Sequence, residues 1–136
     1  MQHIFADTNY WIAILNPRDS LHARALDVGK RHASSPILTT EMVLSEVFAS
    51  LARFGPSIRG AVVALEAELR RSSRVELVPQ SRTQFRSACD LYTERDDKSW
   101  SLVDCASFRL MHERGLAEAL TNDAHFEQAG FRALLR

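Results

Sequence analysis

The chain has 136 residues, of which 46% are hydrophobic and 25% charged, so we expect a single globular domain over residues 1–136. This composition excludes a disordered chain, a collagen-like fibre and a coiled coil. The 17 acidic and 17 basic residues balance, so binding to nucleic acid or to a membrane surface must be local or carried by metal ions.

The first half of the chain alternates short apolar runs with segments of helical periodicity. Three good N-cap residues in a row, Asp7, Thr8 and Asn9, predict a strand that gives way to a helix. The predicted elements are a strand at 3–6, a helix at 10–15, a helix from Asp19 or Ser20 to about His32, a strand at 36–39, a helix capped by Thr40, and a helix that begins at Gly55-Pro56. The apolar face of the helix after Thr40 is predicted to contain Leu44, Val47, Phe48 and Leu51.

The second half continues the alternation. Its predicted elements are a strand at 75–78, a helix marked by Phe85, Cys89 and Tyr92, a charged loop at 94–98, a helix from Ser101 to about Arg114, a strand at 119–121 and an edge strand at 131–134. Short apolar strands that alternate with helices predict an open α/β sandwich, in which helices cover both faces of a mostly parallel sheet.

Four carboxylates follow from this arrangement as a candidate cluster. Asp7 and Asp123 each come just after a predicted strand, and right-handed crossovers place the carboxyl ends of all parallel strands at one edge. Glu46 and Asp104 lie early in helices that begin at the same edge. Open α/β sheets bind ligands outside that edge, where the strand order reverses.

Each acid also has a simpler interpretation. Asp7 and Asp123 could cap the turns that follow them, and Asp104 lies three residues after Ser101, which is the spacing of a capping box. Glu46 could be a solvated residue, although its neighbours are apolar and no base lies three or four residues away. If the four do converge, their mutual repulsion favours an Mg²⁺ or Mn²⁺ ion, which prefers oxygen ligands and suits phosphate chemistry.

The remaining sequence features concern the compartment. Cys89 and Cys105 form no C-x-x-C motif and are predicted to be buried thiols of a reducing compartment. The segment Met1-Gln2-His3 lacks a basic leader, and the uncharged run at 8–17 is shorter than the roughly 18 residues that a membrane span needs. We therefore expect a cytoplasmic protein with no membrane association.

In this order and spacing, the motifs around the four acids resemble those of the PIN domain nucleases, a family that includes VapC-type toxins. The resemblance covers essentially the whole chain, and its segments are Phe5-Ala6-Asp7-Thr8-Asn9, Thr39-Thr40 with Ser45-Glu46-Val47, Trp100-Ser101-Leu102-Val103-Asp104-Cys105, and the run from Ala119 to Phe131 that contains Thr121-Asn122-Asp123-Ala124-His125-Phe126.

The resemblance implies a three-layer α/β/α fold and a metal-dependent endoribonuclease, the toxin of a type II toxin–antitoxin pair. It implies an acidic quartet in which Asp7, Asp104 and Asp123 hold Mg²⁺ or Mn²⁺ and Glu46 completes the site. A metal-activated water would cleave RNA to a 5′-phosphate and a 3′-hydroxyl. It further implies a cognate antitoxin that covers the cleft and a homodimer, with substrate-orienting groups at Thr8, Asn9, Ser101 and Asn122.

Some assignments stay open at the level of sequence. Glu41 is a rival to Glu46, although a helix-dipole role explains its position, and Asp97 with Lys98 are peripheral candidates whose default is a solvated loop. Tyr10 and Trp11 could stack on bases, but core packing or a dimer face is favoured. His112 and His125 have no second His or Cys at zinc-ligand spacing, so a zinc site is poorly supported.

Two rival functions also stay open. The first is a catalytically idle PIN-like module that binds nucleic acid or a protein partner, against which the intact quartet argues. The second is a phosphotransferase or phosphatase with Asp7 as nucleophile, although such enzymes place a second acid two residues later, where this chain has Asn9.

Overall fold

The computed structural model describes residues 2–136, in which five strands form one parallel sheet. The strands are β1 (Ile4–Ala6), β2 (Ile37–Thr40), β3 (Val75–Val78), β4 (Glu118–Leu120) and β5 (Arg132–Ala133), in the spatial order β3-β2-β1-β4-β5. Phe5 in the central strand lies opposite Leu38 on one side and Ala119 on the other. The strand segments predicted from the sequence are confirmed, with ends that differ by at most one residue.

In the described part of the chain, residues 2–136, seven helices connect and cover the strands. They are α1 (Thr8–Leu15), α2 (His22–Arg31), α3 (Glu41–Leu51), α4 (Gly55–Arg71), α5 (Arg82–Glu94), α6 (Leu102–Arg114) and α7 (Ala124–Gln128). Helix α1 packs on α2 and α3, and α5 packs on α6. The three-layer α/β/α fold is confirmed. Between Gln2 and Arg136, no helix combines the length and apolarity that a membrane crossing requires.

The sheet order reverses between β1 and β4. From β1 the chain moves outward through β2 to β3, and then returns to the other side of β1 for β4 and β5. A crevice therefore opens at the carboxyl ends of β1 and β4, which is the place where open α/β sheets bind ligands. The segments that follow these two strands begin with Asp7 and Thr121.

Aromatic packing fixes α6 and α7 against the central strand. The Phe108 ring meets the rings of Phe126 and Trp100 edge to face, each at a centroid distance of 4.9 Å, and Phe126 lies 6.1 Å from Phe5. Phe5, Phe108 and Phe126 are fully buried. These contacts hold the first turn of α7 in a set position relative to β1 and α6. A buried aromatic pair stabilises the fold by about 1 kcal/mol beyond the effect of burying its apolar area.

Tyr10 and Trp11 pack into the core, as the sequence favoured. Trp11 donates its indole N–H to Thr39 Oγ1 at 3.3 Å, and the Thr39 hydroxyl donates to the Ala6 carbonyl at 2.9 Å. Both side chains of this relay are buried. The relay ties α1 to the adjacent ends of β1 and β2. Because the rings of Tyr10 and Trp11 are both buried, neither is free to stack on a base.

Three aromatic residues that the periodicity assigned to apolar helix faces are instead exposed. Phe48 on α3 is 40% exposed, and Phe85 and Tyr92 on α5 are 39% and 56% exposed. Ala88 is buried on α5, which packs on α6, whereas Phe85 and Tyr92, which marked this helix in the sequence, stay exposed. The prediction that both cysteines are buried holds for Cys105, whereas Cys89 is only half-buried; both thiols are free.

Candidate functional site

A cleft of about 300 Å³ lies at the crevice between β1 and β4. All four predicted acids line it. The lining residues are Asp7, Thr8, Asn9, Ile12, Glu46, Ser99, Ser101, Asp104, Asp123 and His125. Three predicted orienting residues, Thr8, Asn9 and Ser101, are among them, so the structure brings together residues that are far apart in the chain.

Asp7 lies at the N-cap position of α1, yet its side chain caps nothing. Its Oδ2 accepts hydrogen bonds from the Thr121 hydroxyl at 2.9 Å and from the Asn9 side-chain amide at 3.4 Å. Only 4% of the residue is exposed. The simpler interpretation of Asp7 as a helix cap is therefore wrong, since the carboxylate turns toward the end of β4.

Glu46 lies in the second turn of α3 and is half-buried. Its Oε1 accepts a hydrogen bond from the Thr8 hydroxyl at 2.6 Å. The rival Glu41 lies elsewhere, because its Oε1 accepts the backbone N–H of Gln80 after β3 at 2.7 Å, and it does not line the cleft. Glu46 is thus the acid that α3 contributes to the cluster.

Asp104 serves as both a cap and a cleft residue. Its Oδ2 accepts the Ser101 backbone N–H at 3.0 Å, while the Ser101 hydroxyl accepts the Asp104 backbone N–H at 3.0 Å, which completes a capping box. The same Oδ2 lies 2.9 Å from His125 Nδ1. The capping box fixes the Asp104 carboxylate at the N-terminus of α6. Asp104 is therefore both a helix-capping residue and a member of the carboxylate cluster.

Asp123 caps α7 by accepting the backbone N–H of His125 on its Oδ1 at 2.9 Å. The loop before it is held by Asn9, whose amide donates to Thr121 Oγ1 at 3.0 Å and whose Oδ1 accepts the Asn122 backbone N–H at 3.0 Å. Asn122 itself does not line the cleft. Asn9 therefore positions the loop that carries Asp123, whereas only the backbone of Asn122 takes part.

The carboxylates share one pattern of hydrogen bonding. Within residues 2–136, Oε2 of Glu46, Oδ1 of Asp104 and Oδ2 of Asp123 accept no hydrogen bond from the protein, although the other oxygen of each is held. Oxygen donors that are fixed on one side and free on the other are what a hard divalent cation requires. The donor set therefore fits Mg²⁺ or Mn²⁺.

The electrostatics of the cluster agree with that fit. Burial raises the pKa of Asp7 to about 7, and the nearby charges of Asp104 and Glu46 act in the same direction, against the hydrogen bonds from Thr8 and Thr121. Burial is also the main reason that the pKa of Glu46 and that of Asp104 lie above their ordinary values. A cation between these groups would relieve the repulsion that opposes their ionisation.

His125 lines the cleft, although the sequence did not assign it to the site. Ligand atoms of Asp104, Asp123 and His125 all lie within 4.8 Å of one another. Its Nδ1 is 3.5 Å from Asp123 Oδ1, and its Nε2 is 3.3 Å from Ser99 Oγ. A single histidine, with no second His or Cys nearby, shows no metal-ligand spacing in the sequence. The one feature that could have pointed to His125 is its position two residues after Asp123.

The peripheral candidates do not reach the cleft lining. Asp97 pairs with Arg95 at 3.0 Å in the exposed loop after α5, and neither Asp97 nor Lys98 lines the cleft. Trp100 is buried and donates its indole N–H to Gln128 at 3.0 Å, while the Arg95 guanidinium lies over its ring. This aromatic residue therefore has a packing role.

Comparisons with known proteins agree with the fold and with the family that the sequence motifs resemble. The family model described as PIN domain matches residues 4–132. The 23S rRNA-specific endonuclease VapC20 of two Mycobacterium tuberculosis strains, CDC 1551 and H37Rv, is 33% identical over 130 residues, covering 94% of this chain and 95% of the relative. The crystal structure of Mycobacterium tuberculosis VapC20, a Sarcin-Ricin loop cleaving toxin, matches with a TM-score of 0.79 and 32% identity, over 94% of this chain and 95% of that one. The chain thus belongs to the PIN domain family.

Proposed function

We propose that the chain is a metal-dependent endoribonuclease and the toxin of a type II toxin–antitoxin pair. The observation that carries this proposal is the cluster at the switch point of the sheet, where Glu46, Asp104 and Asp123 each keep one oxygen free of protein donors within residues 2–136. The matched relatives are named as endonucleases, which supports the same class.

The four acids have different proposed roles, which follow from their positions in the cleft. Asp7, Asp104 and Asp123 would hold Mg²⁺ or Mn²⁺, and Glu46 would complete the site from α3. The ion would activate a water and stabilise the developing charge on the phosphodiester oxygens. Glu46 Oε2 is free to accept a proton from the attacking water, while the Thr8 hydroxyl holds Oε1 in place. Hydrolysis of this kind leaves a 5′-phosphate and a 3′-hydroxyl.

The relatives suggest a first substrate. Their names give 23S rRNA as the target, and the solved structure is of a toxin that cleaves the sarcin–ricin loop. The chain covers almost the full length of both, so the corresponding rRNA stem-loop is the first RNA to test. A ribosomal RNA substrate agrees with action in the cytoplasm. The proposal also includes a cognate antitoxin that covers the cleft and a homodimer of the chain.

The experiment is cleavage of an RNA pool that includes a sarcin–ricin oligonucleotide, with Mn²⁺, with Mg²⁺ and with EDTA. We expect cleavage that requires metal, leaves 5′-phosphate ends and disappears in Asp104→Asn. The matched control is Asp27→Asn, which removes the same charge on α2, away from the cleft lining, where Asp27 pairs with Arg31. Metal-independent cleavage, or full activity in a folded Asp104→Asn protein, would contradict the proposal.

The idle-module and phosphotransferase alternatives predict other outcomes. A folded wild-type protein that neither binds Mn²⁺ nor cleaves RNA would favour the idle module. A phosphotransferase needs a second acid where Asn9 lies, and Asn9 is engaged with Thr121 and the Asn122 backbone. Trapping of a phosphorylated Asp7 would be required to support that alternative.

A further inference from the structure

We propose that His125 is a positioning residue, which holds one oxygen of Asp104 and one oxygen of Asp123 so that the opposite oxygens are presented to the cation. The inference rests on the proposed function, because it assigns a role within the same cleft. It departs from the simpler assignment of His125 as a metal ligand, which the proximity of its ring to the two carboxylates would suggest.

The first argument is the identity of the atoms around Nδ1. It lies 2.9 Å from Asp104 Oδ2 and 3.5 Å from Asp123 Oδ1, and ionised carboxylate oxygens can only accept hydrogen bonds. We therefore assign the proton to Nδ1, which then acts as a donor to Asp104 Oδ2. Nε2 then accepts from the Ser99 hydroxyl, 3.3 Å away. A nitrogen that carries a proton has no lone pair for a metal.

The second argument is which oxygens the ring engages. Asp104 Oδ2 already accepts the Ser101 backbone N–H, and Asp123 Oδ1 already accepts the His125 backbone N–H. In each carboxylate, the imidazole thus lies next to the same oxygen that already accepts a backbone N–H. Oδ1 of Asp104 and Oδ2 of Asp123 are left for the cation, so the ring acts on the ion only through the two acids.

The third argument is the rigidity of the support. Phe126, the next residue, is fully buried against Phe108 on α6. Gln128 in the same short helix accepts the Trp100 indole N–H, which ties α7 to the segment before α6. His125 therefore joins two segments whose separation is already fixed, so its ring N–H can hold Asp104 while its backbone N–H holds Asp123, without movement of the backbone.

The test uses the whole protein and Mn²⁺ alone, with affinity measured by titration of the electron paramagnetic resonance signal. His125→Leu removes the donor, and we expect Mn²⁺ affinity to fall by roughly 10- to 100-fold, the usual cost of losing such a partner. His125→Asn places an amide N–H near the position of Nδ1 and should keep most of the affinity. His125→Gln places its amide near Nε2 and should lose it.

The matched control is His112→Leu, because His112 is exposed on α6, packs on Phe131 and does not line the cleft. Thermal melting of each variant without metal separates misfolding from loss of affinity. If His125→Leu does not fold, the Asn and Gln variants still differ in where the donor lies. Equal Mn²⁺ affinity of the folded Asn and Gln variants would overturn the positioning role.

A second measurement addresses direct ligation. Electron spin-echo spectroscopy of Mn²⁺ on the wild-type protein should show no strong coupling to imidazole nitrogen, and such coupling would make His125 a ligand and overturn the proposal. In cleavage assays the RNA KM should stay constant in His125→Leu while kcat falls. Mn²⁺ binding that depends on His125 without any RNA cleavage would reject the proposed function and keep this inference, whereas absence of Mn²⁺ binding would reject both.

Discussion

The Thr8 hydroxyl donates to Glu46 Oε1 at 2.6 Å and so joins the first turn of α1 to α3 across the cleft. This bond holds one oxygen of Glu46 and leaves Oε2 without a protein donor among residues 2–136. It also lowers the pKa of the Glu46 carboxyl, against the larger effect of burial, which raises it. The hydroxyl therefore keeps Glu46 both oriented and more readily ionised.

Replacement of that hydroxyl tests its role. Thr8→Val keeps the shape of the side chain but removes the donor, so the pKa of Glu46 should rise and its orientation should loosen. We expect RNA cleavage to slow by about tenfold, the equivalent of a hydrogen bond to a charged group worth about 1.4 kcal/mol. Thr8→Ser keeps the hydroxyl and should retain near wild-type rates; an unchanged rate in Thr8→Val would contradict the role.

Asp7 should destabilise the metal-free protein above neutral pH. Its pKa is about 7 in the fold and 3.8 in an unfolded chain, so the folded protein binds more protons between these limits. The free energy of unfolding therefore falls as pH rises through this window, by at most about 4 kcal/mol. Asp7→Asn, whose amide oxygen can still accept from Thr121, should raise the melting temperature at pH 8 in EDTA.

The comparison that isolates the charge of Asp7 is with Asp27→Asn, which should leave the melting temperature nearly unchanged. The difference between Asp7→Asn and wild type should shrink toward pH 4, where Asp7 is protonated in the fold. A variant less stable than wild type at pH 8 in EDTA would show that burial does not raise the pKa of Asp7.

Binding of Mn²⁺ should depend on pH through the same group. A cation binds the ionised carboxylate, and Asp7 with a pKa of about 7 is mostly protonated at pH 6. Affinity should therefore rise by about fivefold between pH 6 and pH 7, and by less than about twofold between pH 7 and pH 8, as the ionised fraction of Asp7 approaches one. Isothermal titration at pH 6, 7 and 8 measures this, and an affinity that is constant over the range would contradict it.

The carboxylate cluster could be predicted from the sequence because its members follow from local rules. Asp7 and Asp123 come directly after strands, and parallel strands bring such residues to one edge wherever they lie in the chain. Asp104 lies early in a helix that begins at the same edge, and its capping spacing from Ser101, first given as a simpler interpretation, fixes its carboxylate there. The choice of Glu46 over Glu41 also agrees with the cleft, since Glu41 is engaged by the Gln80 backbone.

His125 could not be predicted in the same way, because its contacts depend on where α7 lies against α6. The bond to Asp104 spans 21 positions and leaves no periodic trace. The same limit explains Phe85 and Tyr92: their spacing fits a buried stripe, but which face of α5 is covered is decided by its packing on α6. Sequence periodicity predicts that a helix forms, whereas tertiary contacts decide which of its faces is buried.

Thr39 should be a stability determinant through its buried relay. Thr39→Val removes the donor to the Ala6 carbonyl and the acceptor of the Trp11 indole N–H, and the indole N–H is then left unpaired in the core. We expect a loss of about 1–3 kcal/mol in the free energy of unfolding, measured by urea denaturation. Thr93→Val on exposed α5 removes a bond to the Cys89 carbonyl and should change stability by no more than about 0.5 kcal/mol; equal effects would contradict the relay.

Two glycines should respond to alanine with opposite signs. Gly115 ends α6 with φ at +65°, a left-handed conformation in which a Cβ is strained, so Gly115→Ala should cost about 1 kcal/mol. Gly60 lies inside α4 on the exposed side, where an added Cβ meets nothing within 4 Å, so Gly60→Ala should stabilise by about 0.4–1 kcal/mol. Urea denaturation of the two variants checks this. Helix α6 also carries Asp104 in its first turn. Unchanged RNA cleavage in Gly115→Ala would therefore show that the capping box, and not the far end of the helix, fixes the end of α6 at the cleft.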